Sequence, residues 1–235
     1  MPGMEVSRTQ YGEHSAQIVE LTRPDGRSRG TVAVIHGGFW RNRYDWSLGA
    51  PLAADLAGRG WTILNVEYRR VGDGGGVPAT LSDVAAALGT LGEQDTSPLV
   101  TLGHSAGGQL AVWAASAGLG VTHAISQAGV LDLTRGAHER LGDGAVQAFV
   151  GGEPDDVPDA YGLADPSRRP LDVPVWCVHA RDDEDVPFGQ SEQFVRTHPT
   201  ATLVEVTGGH FGVIDPLHPA WAAVVAVLDA ISAPS

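Results

Sequence analysis

From Leu99 to Ser116 the chain reads LVTLGHSAGGQLAVWAAS. A short apolar run meets a serine flanked by glycines, and a run of small residues at helical spacing follows. Residues 99–104 are strand-like and 106–117 helix-like, so the backbone must reverse sharply within Gly103-His104-Ser105-Ala106-Gly107. A serine at so tight a turn sits in a strained conformation, and bulky side chains two residues away would clash. The turn lifts the Ser105 hydroxyl above the end of a sheet. It also aims the N-terminus of the next helix, with the Ala106 N–H, at the same point. Ser105 is the candidate nucleophile.

The same strand-to-helix rhythm runs through the rest of the chain. Residues 15–22, 31–36, 61–68, 121–128, 173–180 and 202–206 read as strands; 47–59, 80–91, 138–150, 188–197 and 217–231 read as helices. Such alternation predicts βαβ units and an α/β fold with a mainly parallel sheet. The run TVAVIH (31–36) is almost wholly apolar, as a strand buried on both faces should be. Asp45 or Ser47 can cap helix 47–59, and Gly60 can end it. The glycine run 72–76 is a loop, because both flanks belong to the same alternating pattern. A chain of 235 residues suits one domain over 1–235, with the irregular Pro/Asp-rich stretch 151–172 as the candidate for a short cap.

Charge narrows the classes of partner. Lys and Arg number 15 against 28 Asp and Glu, a net charge of −13. That balance argues against nucleic acid and offers no attraction to anionic lipid. The N-terminal stretch has no apolar core of signal-peptide length, and no run approaches the roughly 20 apolar residues of a membrane span. A cytoplasmic protein with a small-molecule substrate is expected, and a homodimer is open to it. The single cysteine, Cys177, cannot form an intramolecular disulfide and reads as a buried thiol.

Three more stretches carry chemistry. IHGGFW (35–40) ends the strand at 31–36. Acyl transfer develops a negative oxygen, and N–H groups must be waiting for it. Gly37 and Gly38, with Phe39, supply them from the loop side, and Ala106 from the elbow side. His36 reads as an anchor for that loop. An elbow nucleophile expects an acid and then a histidine further along the chain. After strand 173–180, four acids compete: Asp182, Asp183, Glu184 and Asp185. GGHFG (208–212) then places His210 in a glycine-flanked loop after a strand. Histidine, with an ordinary pKa near 6.5, can take the serine proton and return it to a leaving group. His104 is expected to point away from the substrate, and His179 reads as a strand residue. No set of side chains has metal-ligand spacing, so neither metal nor cofactor is expected.

With these residues in place, the chain resembles the α/β-hydrolase superfamily along nearly its whole length. More closely, it is similar to kynurenine formamidases (arylformamidases) and their small-esterase relatives. The resemblance is carried by HGGFW (36–40), EYRRVGDGGGVPATLSDV (67–84), GHSAGGQLA (103–111) and GGHFGVIDP (208–216). It implies an eight-stranded sheet with helices on both faces, a minimal cap, and a cofactor-free triad. Aligning on Val186-Pro187 puts the triad acid at Asp183, with Asp182 the runner-up. Formamidases often have tyrosine where this chain has Phe39. The implied activity is cleavage of an N-formyl aryl amide to formate and an amine; short-chain carboxylester cleavage is the alternative. Phe39, Trp40 and Phe211, with Tyr44 and Trp46, are then candidates to hold an aryl leaving group, and Arg41 and Arg43 to meet a substrate carboxylate.

Overall fold

The computed structural model describes residues 4–92, 95 and 98–232; the two ends of the expected 1–235 domain lie outside the described residues. Its strands are β1 (Glu5–Gln10), β2 (Ile18–Arg23), β3 (Thr31–Ile35), β4 (Thr62–Val66), β5 (Leu99–His104), β6 (His123–Gln127), β7 (Val175–Ala180) and β8 (Ala201–Val206). They form one eight-stranded sheet in the order β1-β2-β4-β3-β5-β6-β7-β8. The β1–β2 and β2–β4 pairs are antiparallel, and every other pair is parallel.

The helices are α1 (Ala50–Gly58), α2 (Ala79–Leu88), α3 (Ala106–Ser116), α4 (Leu133–His138), α5 (Leu141–Val150), α6 (Pro158–Ala164), α7 (Gly189–Thr197) and α8 (Pro219–Ile231). Strand alternation distributes the core between the two faces. Val32 and Val34 pack with Leu56 of α1 and Trp221 of α8, while Ala33 and Ile35 pack with Leu81 of α2 and Leu110 of α3. Each such Val, Leu or Ile side chain contributes roughly 1.5–3 kcal/mol by leaving water. The buried apolar strands are therefore the rigid part, and the loops at their C-terminal ends are held where that sheet puts them.

Three expectations need correcting. β1 was not foreseen, because EVSRTQ is polar and almost wholly exposed; it is held by its antiparallel ladder with β2. The expected helix 138–150 is α5, starting only at Leu141, and a separate helix that was not foreseen, α4, precedes it. Around their junction Arg140, Gly142, Asp143 and Gly144 have φ between 52° and 79°. Residues 151–172 do not form a cap. Tyr161 and Ala164 of α6 are buried in the main core. Gln109 and Trp113 of α3 donate hydrogen bonds to the Ala164 and Leu163 carbonyls, fixing the segment to the body of the fold.

Candidate active site

Ser105 stands between β5 and α3 with φ 54° and ψ −119°. Its N–H donates to the Gln127 carbonyl at 2.8 Å, which ties the elbow to the end of β6. The flanking glycines are required by contact. A Cβ on Gly103 would lie 2.0 Å from the Gly107 oxygen, and one on Gly107 would lie 2.1 Å from the Ile35 oxygen. The helix start, the elbow and the end of β3 are thus packed backbone to backbone.

Asp183 and His210 meet although 27 residues separate them: the carboxylate Oδ2 accepts from His210 Nδ1 at 2.7 Å. That leaves Nε2 of His210 with its lone pair free. Asp183 Oδ1 accepts the N–H groups of Asp185 (2.9 Å) and Val186 (2.8 Å). Burial opposes ionisation of Asp183. Hydrogen bonds from His179, His210 and the Val186 N–H outweigh it and hold the carboxyl well below the usual carboxylate range. The runner-up, Asp182, is exposed and accepts the Gly208 N–H at 3.3 Å, steadying the loop that carries His210. The structure also brings donor atoms of Asp183, Asp185 and His210 within 4.8 Å of one another, a grouping no sequence spacing announced. The Asp183 Oδ2 and His210 Nδ1 atoms already engage each other.

No hydrogen bond joins Ser105 Oγ to His210, although the two residues line one cleft. Apo sites often hold this contact open and close it on substrate. His104 departs from expectation. Its ring does not turn from the cleft but lies 4.5 Å from that of His210, and its Nε2–H donates to the His210 carbonyl at 2.9 Å. Burial first, then the neighbouring His210, pushes the His104 pKa down to about 3, so it supports His210 as a neutral ring.

The loop after β3 passes directly beside the elbow. His36 Nε2 lies 3.1 Å from Glu67 Oε1, and the His36 and Tyr68 rings stack at 4.4 Å. Tyr68 Oη donates to the His36 carbonyl at 2.8 Å. Glu67 Oε2 accepts from the Trp46 N–H (3.0 Å) and from Arg70 (2.9 Å). Backbone N–H groups of Gly38, Phe39 and Ala106 have no hydrogen-bond partner among the described residues.

A cleft of about 580 Å³ opens over Ser105 and His210. Gly38, Phe39, Tyr44 and Phe211 line it, as do Arg41 and Arg43. Phe211 is 62% exposed. Trp40 is absent from the cleft, contrary to expectation. It is 0% exposed, stacks on Phe149 at 4.4 Å and donates its Nε1–H to Gln109. Its neighbour Phe39 takes the outward place, since Phe39 and Trp40 both have positive φ and the chain turns between them. Trp46 also lies elsewhere, under the Arg8 guanidinium. The residues Glu139–Asp143, which sequence reasoning passed over, form the opposite wall, and Arg41 donates to the Gly142 carbonyl. Glu67 and His179 were also missed as site residues. The only sequence sign of His179 is its place four residues before Asp183, at the end of a strand.

The profile of the family described as BD-FAE matches residues 20–197. No curated protein matches the chain. Among solved structures, the bifunctional GH43-CE protein of Bacteroides eggerthii superposes with a TM-score of 0.81 at 20% identity, over 97% of this chain and 36% of that one. This chain thus spans about a third of that protein. A truncated carbohydrate esterase from gut microbiota gives 0.81 at 18% identity, over 97% and 96% of the two chains. Thermogutta terrifontis esterase 2, solved phosphoramylated by tabun, gives 0.75 at 21%, over 98% and 94%. What these likenesses establish is the shared α/β-hydrolase fold.

Proposed function

We propose that this chain, which belongs to the BD-FAE family, is a serine hydrolase that cleaves carboxylic esters with small acyl groups in the cleft over Ser105. The observation that carries the reading is the 2.7 Å contact between Asp183 and His210 Nδ1, in a cleft that also presents the elbow serine. In this tautomer His210 Nε2 takes the proton from Ser105 Oγ as the oxygen attacks the carbonyl carbon. Asp183 stays ionised and stabilises the imidazolium. The free N–H groups of Gly38, Phe39 and Ala106 are placed to receive the developing oxyanion, with Gly37 beside them. His210 then protonates the leaving alcohol, and a water deprotonated by His210 releases the acyl group from Ser105. That the named relatives are esterases supports the ester reading.

A second reading, cleavage of an N-formyl aryl amide, is favoured by the grouping of Phe39, Tyr44 and Phe211 with Arg41 and Arg43 around one cleft. Those side chains offer an aryl ketone its faces and an amino-acid carboxylate its counter-charge. One panel separates the readings: kcat/KM for p-nitrophenyl acetate, p-nitrophenyl octanoate and N-formylkynurenine. The ester reading expects the acetate to lead; a leading formamide would replace it with the second. A fluorophosphonate should label Ser105 in the wild type, and labelling at another residue would overturn both.

A further inference from the structure

We propose that His179 is a positioning residue of this site, a second histidine that holds the Asp183 carboxylate from behind and shares its Oδ2 with His210. The inference rests on the reading of Ser105, Asp183 and His210 as a hydrolytic triad. His179 lies in β7 with its ring fully buried. Its Nε2 is 3.1 Å from Asp183 Oδ2 and 3.1 Å from the Val186 carbonyl. A carboxylate and a carbonyl both only accept, so Nε2 must carry the hydrogen. On the other side Nδ1 lies 2.8 Å from Ser191 Oγ, whose hydroxyl can donate to it and complete a neutral ring. Phe188 packs 5.5 Å from the same ring.

Asp183 therefore accepts four hydrogen bonds, and only one comes from the histidine facing the nucleophile. The other three, from His179 and the backbone of Asp185 and Val186, stop the carboxylate from rotating. His179 differs from those amides in donating to the same oxygen as His210. It draws on electron density that would otherwise stabilise the His210 imidazolium alone. His179 thus sets how firmly Asp183 can hold the His210 imidazolium. The other titratable or charged groups facing the assembly are His104 of β5 against His210, Asp182 and Asp185 on the acid's own loop, Glu184 in the cleft wall, Cys177 near Ser191, and Arg181 stacked on Phe188. A substitution at His179 changes none of these residues.

The test is the pH profile of kcat/KM on p-nitrophenyl acetate for the wild type, His179→Leu and His179→Gln. His210 must be neutral to take the serine proton, so the acid limb follows its pKa. Without the His179 donor, Asp183 holds the imidazolium more strongly. The limb of His179→Leu should then move to higher pH by about half a unit, and kcat should fall by roughly tenfold as the carboxylate loosens. Glutamine offers an N–H near the lost Nε2, and His179→Gln should recover most of both. A merely structural role would lower the yield of folded enzyme without moving the limb, so an unmoved limb in His179→Leu overturns the proposal. If the leucine variant does not fold, ¹⁵N-histidine NMR of the wild type decides. The hydrogen of His179 is expected on Nε2, and finding it on Nδ1 overturns the proposal. Full activity in Ser105→Ala would instead remove the triad reading and this inference with it. An inactive Ser105→Ala beside an unmoved limb removes this inference alone.

Discussion

Ser105 is held at φ 54° by packing that leaves its glycine neighbours no room for a side chain, so its strain is maintained by the fold around it. Replacing only its hydroxyl leaves that packing intact. Ser105→Ala should keep the wild-type Tm and lose kcat by about 10⁴–10⁶-fold. The neighbouring acids give a sharper comparison. Asp183→Asn removes the negative charge facing His210 Nδ1 and offers an N–H that favours the wrong tautomer, and should lower kcat by roughly 10⁴-fold, whereas Asp182→Asn and Asp185→Asn should stay within about tenfold of the wild type. Parallel steady-state kinetics on the three variants checks the assignment. His104 adds a pH effect on stability. Its folded pKa, about 3, lies below the unfolded value of 6.5, so the unfolded chain binds the proton first as pH falls. The neutral ring's contribution is complete above pH 6.5 and is lost progressively between about 6.5 and 3. His104→Gln can keep the donation to the His210 carbonyl but not the titration. Denaturant midpoints from pH 7 down to 4 should fall less steeply in this variant, and equal slopes would remove His104 as a cause.

The proposed active groups sit on loops at the C-terminal ends of β3, β5, β7 and the loop after β8, and the loop after β3 is braced by a neighbouring element. The brace for the loop after β3 is the charged cluster at the end of β4, where Glu67 meets His36, the Trp46 N–H and Arg70. Glu67→Ala would strand the buried Arg70 guanidinium and orphan the Trp46 N–H, a loss of about 3–5 kcal/mol. In whatever enzyme folds, kcat should drop more than KM rises, because the proposed oxyanion donors on this loop would matter most in the transition state. Thermal melts and steady-state kinetics on one preparation check both parts. Trp40 belongs to the same loop but faces the core, so Trp40→Phe should lower Tm by several degrees while KM stays constant. A raised KM with an unchanged Tm would return Trp40 to the substrate. β1 is the reverse case, an element of almost wholly exposed residues that no apolar pattern could announce.

At the scale of the molecule, the cleft over Ser105 is walled by Glu139–Asp143 and has no segment from 151–172 across it. Each methylene that stays in water forfeits roughly 0.8 kcal/mol. Moving from p-nitrophenyl acetate to the octanoate should therefore bring no gain in kcat/KM, and a clear preference for the octanoate would require a chain-binding groove elsewhere. Activity should also survive exhaustive EDTA treatment, since the proposed chemistry runs through Ser105, His210 and backbone N–H groups; loss restored by zinc or manganese would point to the Asp183, Asp185 and His210 cluster. The linear chain was enough to place the strand-elbow-helix at Ser105, the buried parallel strands and the glycine-flanked His210, because these depend on local periodicity and on turns only particular residues can make. Position after a strand narrowed the acid only to a run of four, and the family resemblance, aligned on Val186-Pro187, was needed to single out Asp183, because which carboxylate reaches His210 depends on how the β7 and β8 loops approach each other. The sequence likewise could not turn Trp40 inward and Phe39 outward, join Glu67 to His36, or bring His179 behind Asp183. Those outcomes were decided by tertiary packing, where buried polar groups must find partners from distant parts of the chain and no short-range pattern records which partner will be there.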